Sequence, residues 1–370
     1  MPGDGLTPAQ MADLVICVND NYPPDKSFEY LFATDQQVFE VVNRLFPDAK
    51  RELEGGEYIT RFVSYRETGT AQFVRPGQTR APTLVNVMKK LTIGWCHAAA
   101  DYGVLREQLL AAKGDSTKLI DHIKGQRMTT QVDLAAMIER AFWEAPSSTD
   151  DRIPYNAAYY IVPITGAQVT AGTGAGAFQG QNPTGFSTVA GIDGSDSTYS
   201  RWRNWNSVAA ASDGSYTNDD EDRLGRMFRH LNFEAPATAE DLSKPAFQNR
   251  RMYLNETSLQ NMERAAKNQN ANVGWDLAYA QGRTTFKGMP LKWIPSLDTY
   301  RACWGYYPII MLNFAYLYPV VRREVFFNQS TYPATAEKPD LTVTWVDVDY
   351  NIICTNRQQV GGVHSYVAAA

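Results

Sequence analysis

Asp347 and Asp349 sit one residue apart in an alternating stretch that runs from Val346 to Cys354. On a strand such a pair shares one face, which gives it the acid-and-base spacing of a glycoside hydrolase. The same pattern describes the solvated side of a half-buried strand, which is the commoner arrangement. Trp202-Arg203-Asn204-Trp205 offers aromatic faces and a guanidinium that could stack on sugars or bases. Trp and Arg equally anchor contacts between chains, and that reading is favoured. His97, His122, His230 and His364 are scattered without HxxxH or HExxH spacing. Cys96 and His97 are adjacent, so a strand sends them to opposite faces, and no metal site is expected. Gly172-Thr173-Gly174-Ala175-Gly176 lacks the Lys-Ser/Thr of a phosphate loop and the strand-then-helix context of a dinucleotide fingerprint. There is no GxSxG elbow either. No catalytic residue and no cofactor is expected.

The charge distribution carries more. From Lys50 to Lys90, eight basic residues (Lys50, Arg51, Arg61, Arg66, Arg75, Arg80, Lys89 and Lys90) face four glutamates, a net +4 within a chain of net charge −5. Tyr58 to Tyr65 is rich in β-branched and aromatic residues, turns fall at Glu67-Thr68-Gly69 and Pro76-Gly77, and Thr83 to Ile93 returns as strand. This is a long hairpin with little apolar content of its own, and an isolated hairpin is marginal until something covers it. A positive limb on a negative body either tracks nucleic acid or lies over an identical neighbour. Arginines interleaved with apolar residues favour the neighbour. Arg61, Arg66, Glu67, Arg75 and Arg80 are therefore candidate contact residues between copies, together with Trp202, Arg203 and Trp205.

Several elements must carry these residues. Val38, Phe39, Val41, Val42 and Leu45 predict one amphipathic helix within 28–46. Leu119, Ile123, Leu134, Ile138 and Phe142 give 115–144 a helical period, with Asp115 or Ser116 as cap, Gly125 as a bend and Pro146 as stop. Residues 165–216 are rich in Gly, Ala, Ser and Thr and predict surface loops. Leu224, Met227, Phe228 and Leu231 mark a helix over 219–231, and Asn255 caps another that carries Leu259, Met262 and Ala266. Strands are predicted over 284–294, in the apolar run 308–321 and over 341–354. In the last, Val346, Val348, Tyr350 and Ile352 point inward, while Asp347, Asp349 and Asn351 point to solvent.

The composition suits two domains: 370 residues, 41.4 kDa, 44% hydrophobic and 20% charged. Four cysteines without CxxC spacing read as cytosolic thiols, which sets aside disulfide scaffolds and zinc fingers. The uncharged run Trp304 to Val321 has the length of a membrane span, but Pro308, Asn313, Pro319 and four tyrosines make it buried strand in a soluble chain. The first residues contain no secretory signal pattern, and no repeat of fixed period occurs.

Five blocks follow in order over about residues 85–365: Arg201-Trp202-Arg203-Asn204-Trp205-Asn206; Tyr253-Leu254-Asn255-Glu256 leading a helix from Thr257 to Asn268; Phe286-Lys287-Gly288-Met289-Pro290-Leu291; Asn313-Phe314; and the stretch from Val346 to Arg357. Their order and spacing resemble the major capsid proteins of tailed bacteriophages, which have the Hong Kong 97-type shell fold. The resemblance implies an α+β subunit with an N-terminal arm (1–50), an extended β-hairpin loop (51–95), a peripheral domain with a long spine helix (96–151), an axial domain (152–335) and a peripheral strand with a C-terminal tail (336–370). It implies a non-enzymatic virion protein, assembled in the bacterial host cytoplasm into the pentamers and hexamers of an icosahedral head. That head encloses double-stranded DNA without sequence preference and has no membrane; portal, scaffolding and cement proteins are its further partners. The charged N-terminal scaffolding helix of some relatives is absent. Tyr58 to Met88 contains no lysine, which speaks against the lysine–asparagine crosslink that other relatives form from this loop. Bacterial nanocompartment shells share the fold, so the cargo stays open.

Overall fold

Short apolar clusters separated by turn residues fold into many small elements. A computed structural model describes residues 39–76, 85–105, 116–164, 176–209, 214–232, 250–270, 285–299, 301–332 and 341–367, with isolated positions at 13, 15–17, 107 and 174. A π-helical turn, Val41–Leu45, runs into the short helix Phe46–Ala49 (α1). Glu40 is also helical, and residues 28–38 of the helix expected over 28–46 lie outside the described residues. Strands Arg51–Leu53 (β1), Ile59–Ser64 (β2), Met88–Ile93 (β3) and Cys96–Leu105 (β4) precede the helix Ser116–Trp143 (α2). Next come Ala157–Tyr160 (α3), Ala177–Gly180 (β5), Asn204–Ala209 (β6), Asn218–His230 (α4), Arg250–Leu254 (β7), Glu256–Asn270 (α5), Thr285–Phe286 (β8) and Met289–Trp293 (β9). Pro295–Thr299 (α6), Arg301–Trp304 (α7), Tyr306–Asn313 (β10), Leu317–Tyr332 (β11), Leu341–Cys354 (β12), Arg357–Val360 (α8) and Gly361–Tyr366 (β13) complete the order.

These elements form two compact units. The first comprises Met1–Gly55, Cys96–Arg140 and Val320–Tyr350; the second comprises Gly56–Trp95, Ala141–Pro319 and Asn351–Ala370.

In the first unit a four-stranded sheet has the order β1-β11-β12-β4. β12 and β4 run antiparallel from Leu341 opposite Leu105 to Tyr350 opposite Cys96. Val346, Val348 and Tyr350 are buried as their alternation predicts, and so are Cys96, Ala98, Tyr102 and Val104 on β4. Phe46 packs edge-on against Tyr350 and tilted against Phe326, with ring centroids 5.5 and 5.6 Å away. The Val41 N–H donates to Oε2 of the fully buried Glu139 at 2.7 Å. A hydrogen bond of this kind gives the buried carboxylate a specific polar partner.

The opposite side of β12 departs from expectation. Asp347 is partly exposed, but Asp349 and Asn351 are buried. Each finds specific polar partners, and with those in place a polar side chain leaves solvent at little cost.

In the second unit a seven-stranded mixed sheet has the order β5-β6-β13-β10-β7-β9-β8. Its core gathers Trp205, Leu224, Met227, Leu231, Met252, Leu254, Met262, Met289, Ile309 and Met311. α4 supplies Leu224, Met227 and Leu231 at the spacing read from sequence. The uncharged run is β10, a turn and the start of β11, mostly buried as expected. Among the described residues, no helix is long and apolar enough to cross a membrane. The loops expected over 165–216 are a misreading in part: β6 is buried along its whole length and lies inside the sheet, with β5 beside it. Asn-Trp-Asn-Ser looks like a loop, yet its amides bond to backbone. Asn204 exchanges two hydrogen bonds with Val162, and Asn206 donates to the Val162 carbonyl at 2.8 Å.

Two positions show where the fold requires glycine. A Cβ on Gly361 would lie 2.2 Å from the Met311 carbonyl oxygen, so only glycine lets β13 approach β10 there. Lys287 and Gly288 have φ of +47° and +80° and form the two-residue turn between β8 and β9, as a type I′ hairpin requires.

Candidate assembly surfaces

The hairpin begins at its pairing. β2 and β3 run antiparallel from Ile59 opposite Ile93 to Ser64 opposite Met88. Ile59, Leu91 and Ile93 are fully buried. The Thr92 N–H donates to the Ala190 carbonyl at 3.3 Å, and Ala190 is held with φ +53° by its own N–H donating to the Tyr159 hydroxyl at 2.8 Å. Tyr65 meets Tyr199 edge-on at 4.9 Å, and the Lys89 ammonium stands 5.7 Å over the same ring. Arg201 and Glu67 close an exposed ion pair at 2.8 Å. The hairpin base is thus docked on its own unit, although the hairpin was expected to have little apolar content of its own. Alternation in β2 and β3 does supply a small apolar row, and Tyr199 supplies the surface beneath it.

On the other face of the hairpin and past its base, several of the described residues stand in solvent. Phe62 is 71% exposed, Met88 61%, and Phe73 stands wholly in solvent. Arg66, Glu67 and Arg75 are exposed and Arg61 is half-buried. Arg66 Nε and the Tyr65 hydroxyl both donate to the Asn86 carbonyl, at 3.1 and 2.9 Å, which stiffens the limb where β2 and β3 end. Arg80 lies outside the described residues.

The Trp-Arg cluster is placed elsewhere. Trp202 and Trp205 are buried in the second unit, so their rings are not free to stack on a sugar, a base or another copy. Trp202 Nε1 donates to the Val189 carbonyl at 3.2 Å; Trp205 stacks on His230 at 4.5 Å and takes the edge of Phe178 at 5.1 Å. Arg203 is partly buried and donates to the carbonyls of Gly194 and Ser195, at 2.7 and 3.1 Å. Aromatic and arginine enrichment is shared by interfaces and by cores, and here the core took these residues.

The carboxylate pair is likewise engaged. Asp349 accepts from Arg322 Nη1 at 2.8 Å through one oxygen, and its other oxygen lies 2.5 Å from His97 Nδ1. His97 Nε2 is 3.5 Å from Asp347. Cys96 points inward and His97 outward, as expected of neighbours on a strand. With both oxygens of Asp349 committed, this pair lacks a free acid and a free base facing one substrate atom.

A cavity of about 680 Å³ in the second unit is lined by Val162, Gln179, Asn182, Arg203 and Cys303 among others. Burial pushes the Cys303 thiol up to about 12, and the lining residues bring no histidine or carboxylate to it. Among the described residues, no group of His, Cys, Asp or Glu is arranged to hold a metal ion.

Sequence reasoning missed Arg357. Fully buried, it donates to the carbonyl of Tyr160 (2.6 Å), the carbonyl of Trp202 (3.0 Å) and Asn204 Oδ1 (3.3 Å). Burial lowers its pKa to about 10, so it stays cationic at neutral pH.

No protein-family model matches the chain, and no curated protein sequence does. Solved structures do. The cyanophage A-1(L) capsid subunit matches with TM-score 0.54 at 14% identity, over 95% of this chain and 98% of that one. The chain has the Hong Kong 97-type shell fold. A subunit of the native GTA particle capsid shares this shell fold at TM-score 0.53 and 10% identity, over 94% and 95% of the two chains. So does the SrpI encapsulin of Synechococcus elongatus PCC 7942, at 0.50 and 10%, over 95% and 94%. Residues of the blocks read from sequence hold local structure here: Asn204 meets Arg357, Asn255 caps α5 with its Oδ1 accepting from the Ser258 N–H at 3.1 Å, and Lys287-Gly288 forms the β8–β9 turn.

Proposed function

We propose that the chain is a structural, non-catalytic shell subunit that assembles with copies of itself into pentamers and hexamers of an icosahedral head. The observation that carries this reading is the hairpin: one face of its base has a seat, while Phe62 and Met88 on the other face, and Phe73 past the base, stand exposed with arginines among them. Exposed aromatics alternating with guanidinium groups suit the surface of another copy. Arg61, Arg66, Glu67 and Arg75 are the described residues assigned to that contact. In this reading 1–50 is the arm, 51–95 the extended loop, 96–151 and 336–370 the peripheral domain and 152–335 the axial domain. The head encloses double-stranded DNA without sequence preference, in keeping with a net charge of −5 on the subunit. Assembly takes place in a bacterial host, with portal, scaffolding and cement proteins as partners, and the product is a virion.

Negative-stain microscopy of the purified chain, alone and with its co-expressed neighbours, tests the reading. Closed particles or rings of five or six are expected; a monodisperse monomer under every condition would overturn it. A second reading, a nanocompartment shell with protein cargo, is favoured by the likeness to an encapsulin. Nucleic-acid absorbance of purified particles separates the two.

A further inference from the structure

Ser207, His364 and Asp220 form a buried line across three elements of the second unit: β6, β13 and the first turn of α4. Ser207 Oγ lies 2.8 Å from His364 Nδ1, and His364 Nε2 lies 3.4 Å from Asp220 Oδ1. The order of types is that of a hydrolase triad, but His364 is 0% exposed and none of the three lines the cavity described above, so no substrate reaches them. Asp220 has another duty. Its Oδ2 accepts from the Thr217 N–H at 3.0 Å and from the Thr217 hydroxyl at 2.8 Å, forming the capping box of α4.

We propose that His364 is an acid-operated release, through which proton uptake in mild acid loosens the N-terminal end of α4 from β6 and β13.

The argument is one of donors and acceptors. In the neutral ring the Ser207 hydroxyl donates to Nδ1, which leaves the proton on Nε2, facing Asp220 at 3.4 Å without a well-formed hydrogen bond. A second proton must sit on Nδ1. It then meets a hydroxyl that already points a hydrogen at it. Ser207 must turn, and its own hydrogen loses its partner in a buried site.

The charges facing the ring come from several elements. From α4, Asp220 attracts a cationic ring, while Arg223 repels it; Arg223 Nη1 is itself tied to the Val208 carbonyl at 3.1 Å and stands 3.5 Å from Asp220. Just ahead of α4, the Tyr216 phenol is half-buried, and desolvation, then Glu221 and Asp220, raise its pKa. On β13 itself the Tyr366 ring lies edge-on at 5.2 Å. β10 sets Ile309 opposite His364 and brings no charge there.

Burial outweighs the attraction of Asp220, and the His364 pKa falls below the ordinary 6.5. The unfolded chain therefore takes up this proton more readily than the folded one. The stability it confers is whole above pH 6.5 and drains as the pH falls below that value. Asp220 is held below its ordinary 3.8, so it adds to the loss only at still lower pH. The proposal concerns the single chain and stands whether or not that chain builds a shell.

Hydrogen–deuterium exchange of the full chain tests it, following α4 peptides from pH 7.5 to 5 with intrinsic exchange rates corrected for pH. Protection of α4 is expected to drop by up to tenfold per pH unit below 6.5. In His364→Gln, which has no group that titrates in this range, the drop should vanish. Unchanged α4 protection in the native chain, or an equal drop in the variant, overturns the proposal. If the variant does not fold, the native chain labelled at histidine Cε1 decides by NMR titration. A histidine signal that stays neutral below pH 6.5 until α4 protection is lost is the expected result. Four signals that all titrate at the ordinary position with α4 intact would refute it.

Discussion

Arg357 and Asn204 meet inside the second unit, guanidinium N–H to amide oxygen at 3.3 Å, and between them they hold the Tyr160–Val162 segment and the Trp202 carbonyl. Arg357 takes the carbonyls of Tyr160 and Trp202. The Asn204 oxygen also accepts from the Val162 N–H at 3.0 Å. A Cβ on Gly180 would land 1.9 Å from that oxygen, so the neighbouring strand is fitted to it as well.

Replacing Arg357 by Met should therefore leave three buried acceptors without this donor and lower subunit stability by about 3 kcal/mol or more. Arg357→Lys should recover little, because one ammonium on a flexible stem does not span three acceptors set around a planar fork. Urea unfolding of unassembled subunits measures both; a Lys variant as stable as the native chain would contradict the account.

The exposed limb calls for the opposite outcome. Phe62→Asp with Phe73→Asp removes no contact within the subunit's core, so circular dichroism and the unfolding midpoint should stay within about 0.5 kcal/mol of native. Particle formation, followed by sedimentation, should be lost. Particles assembling normally from this variant would remove the hairpin from the interface.

The legible parts of this chain were those in which a local period reports burial. Leu224, Met227 and Leu231 fall three and four apart because α4 lays one stripe on its own sheet, and no distant information is needed to see it. Val346, Val348 and Tyr350 alternate for the same reason. β6 was not legible, since it is buried on both faces and carries Asn204, Asn206 and Ser207, whose partners lie outside the local pattern. Ser207 is 157 residues from His364 and Glu67 is 134 from Arg201, so no spacing rule connects them. Trp202 and Trp205 misled for another reason, because side-chain type alone does not separate an interface from a core. The hairpin stood out through its excess of charge, while its docked base depends on Tyr199, far along the chain.

Asp347 and Asp349 look equivalent in sequence and should respond differently. Asp349 is buried and accepts from Arg322, so Asp349→Asn should cost about 2 kcal/mol by weakening a charge-assisted bond in a shielded place. Asp347→Asn, at the more exposed end of the His97 contact, should cost less than about 0.5 kcal/mol. Equal costs in thermal or urea unfolding would show that burial does not set the difference.

Glycine at 361 and glycine at 288 serve different physics, and alanine at each should separate them. Gly288 sits at φ +80° with nothing within 4 Å of an added Cβ, so Gly288→Ala meets conformational strain alone. About 1 kcal/mol is expected, with the fold intact. Gly361 is extended, so its backbone tolerates any residue, but its Cβ would strike the Met311 carbonyl oxygen and come within 2.8 Å of Ile161 Cδ1. The isoleucine can turn away; the carbonyl belongs to the β10 backbone paired with β13 and cannot. Relief would require those two central strands to part, breaking the ladder that joins β6 on one side to β7 on the other. Gly361→Ala should therefore cost about 4 kcal/mol or abolish soluble expression, against a mild shift for Gly288→Ala. If the two variants unfold at the same urea concentration, the close approach of β10 and β13 is not what requires glycine at 361.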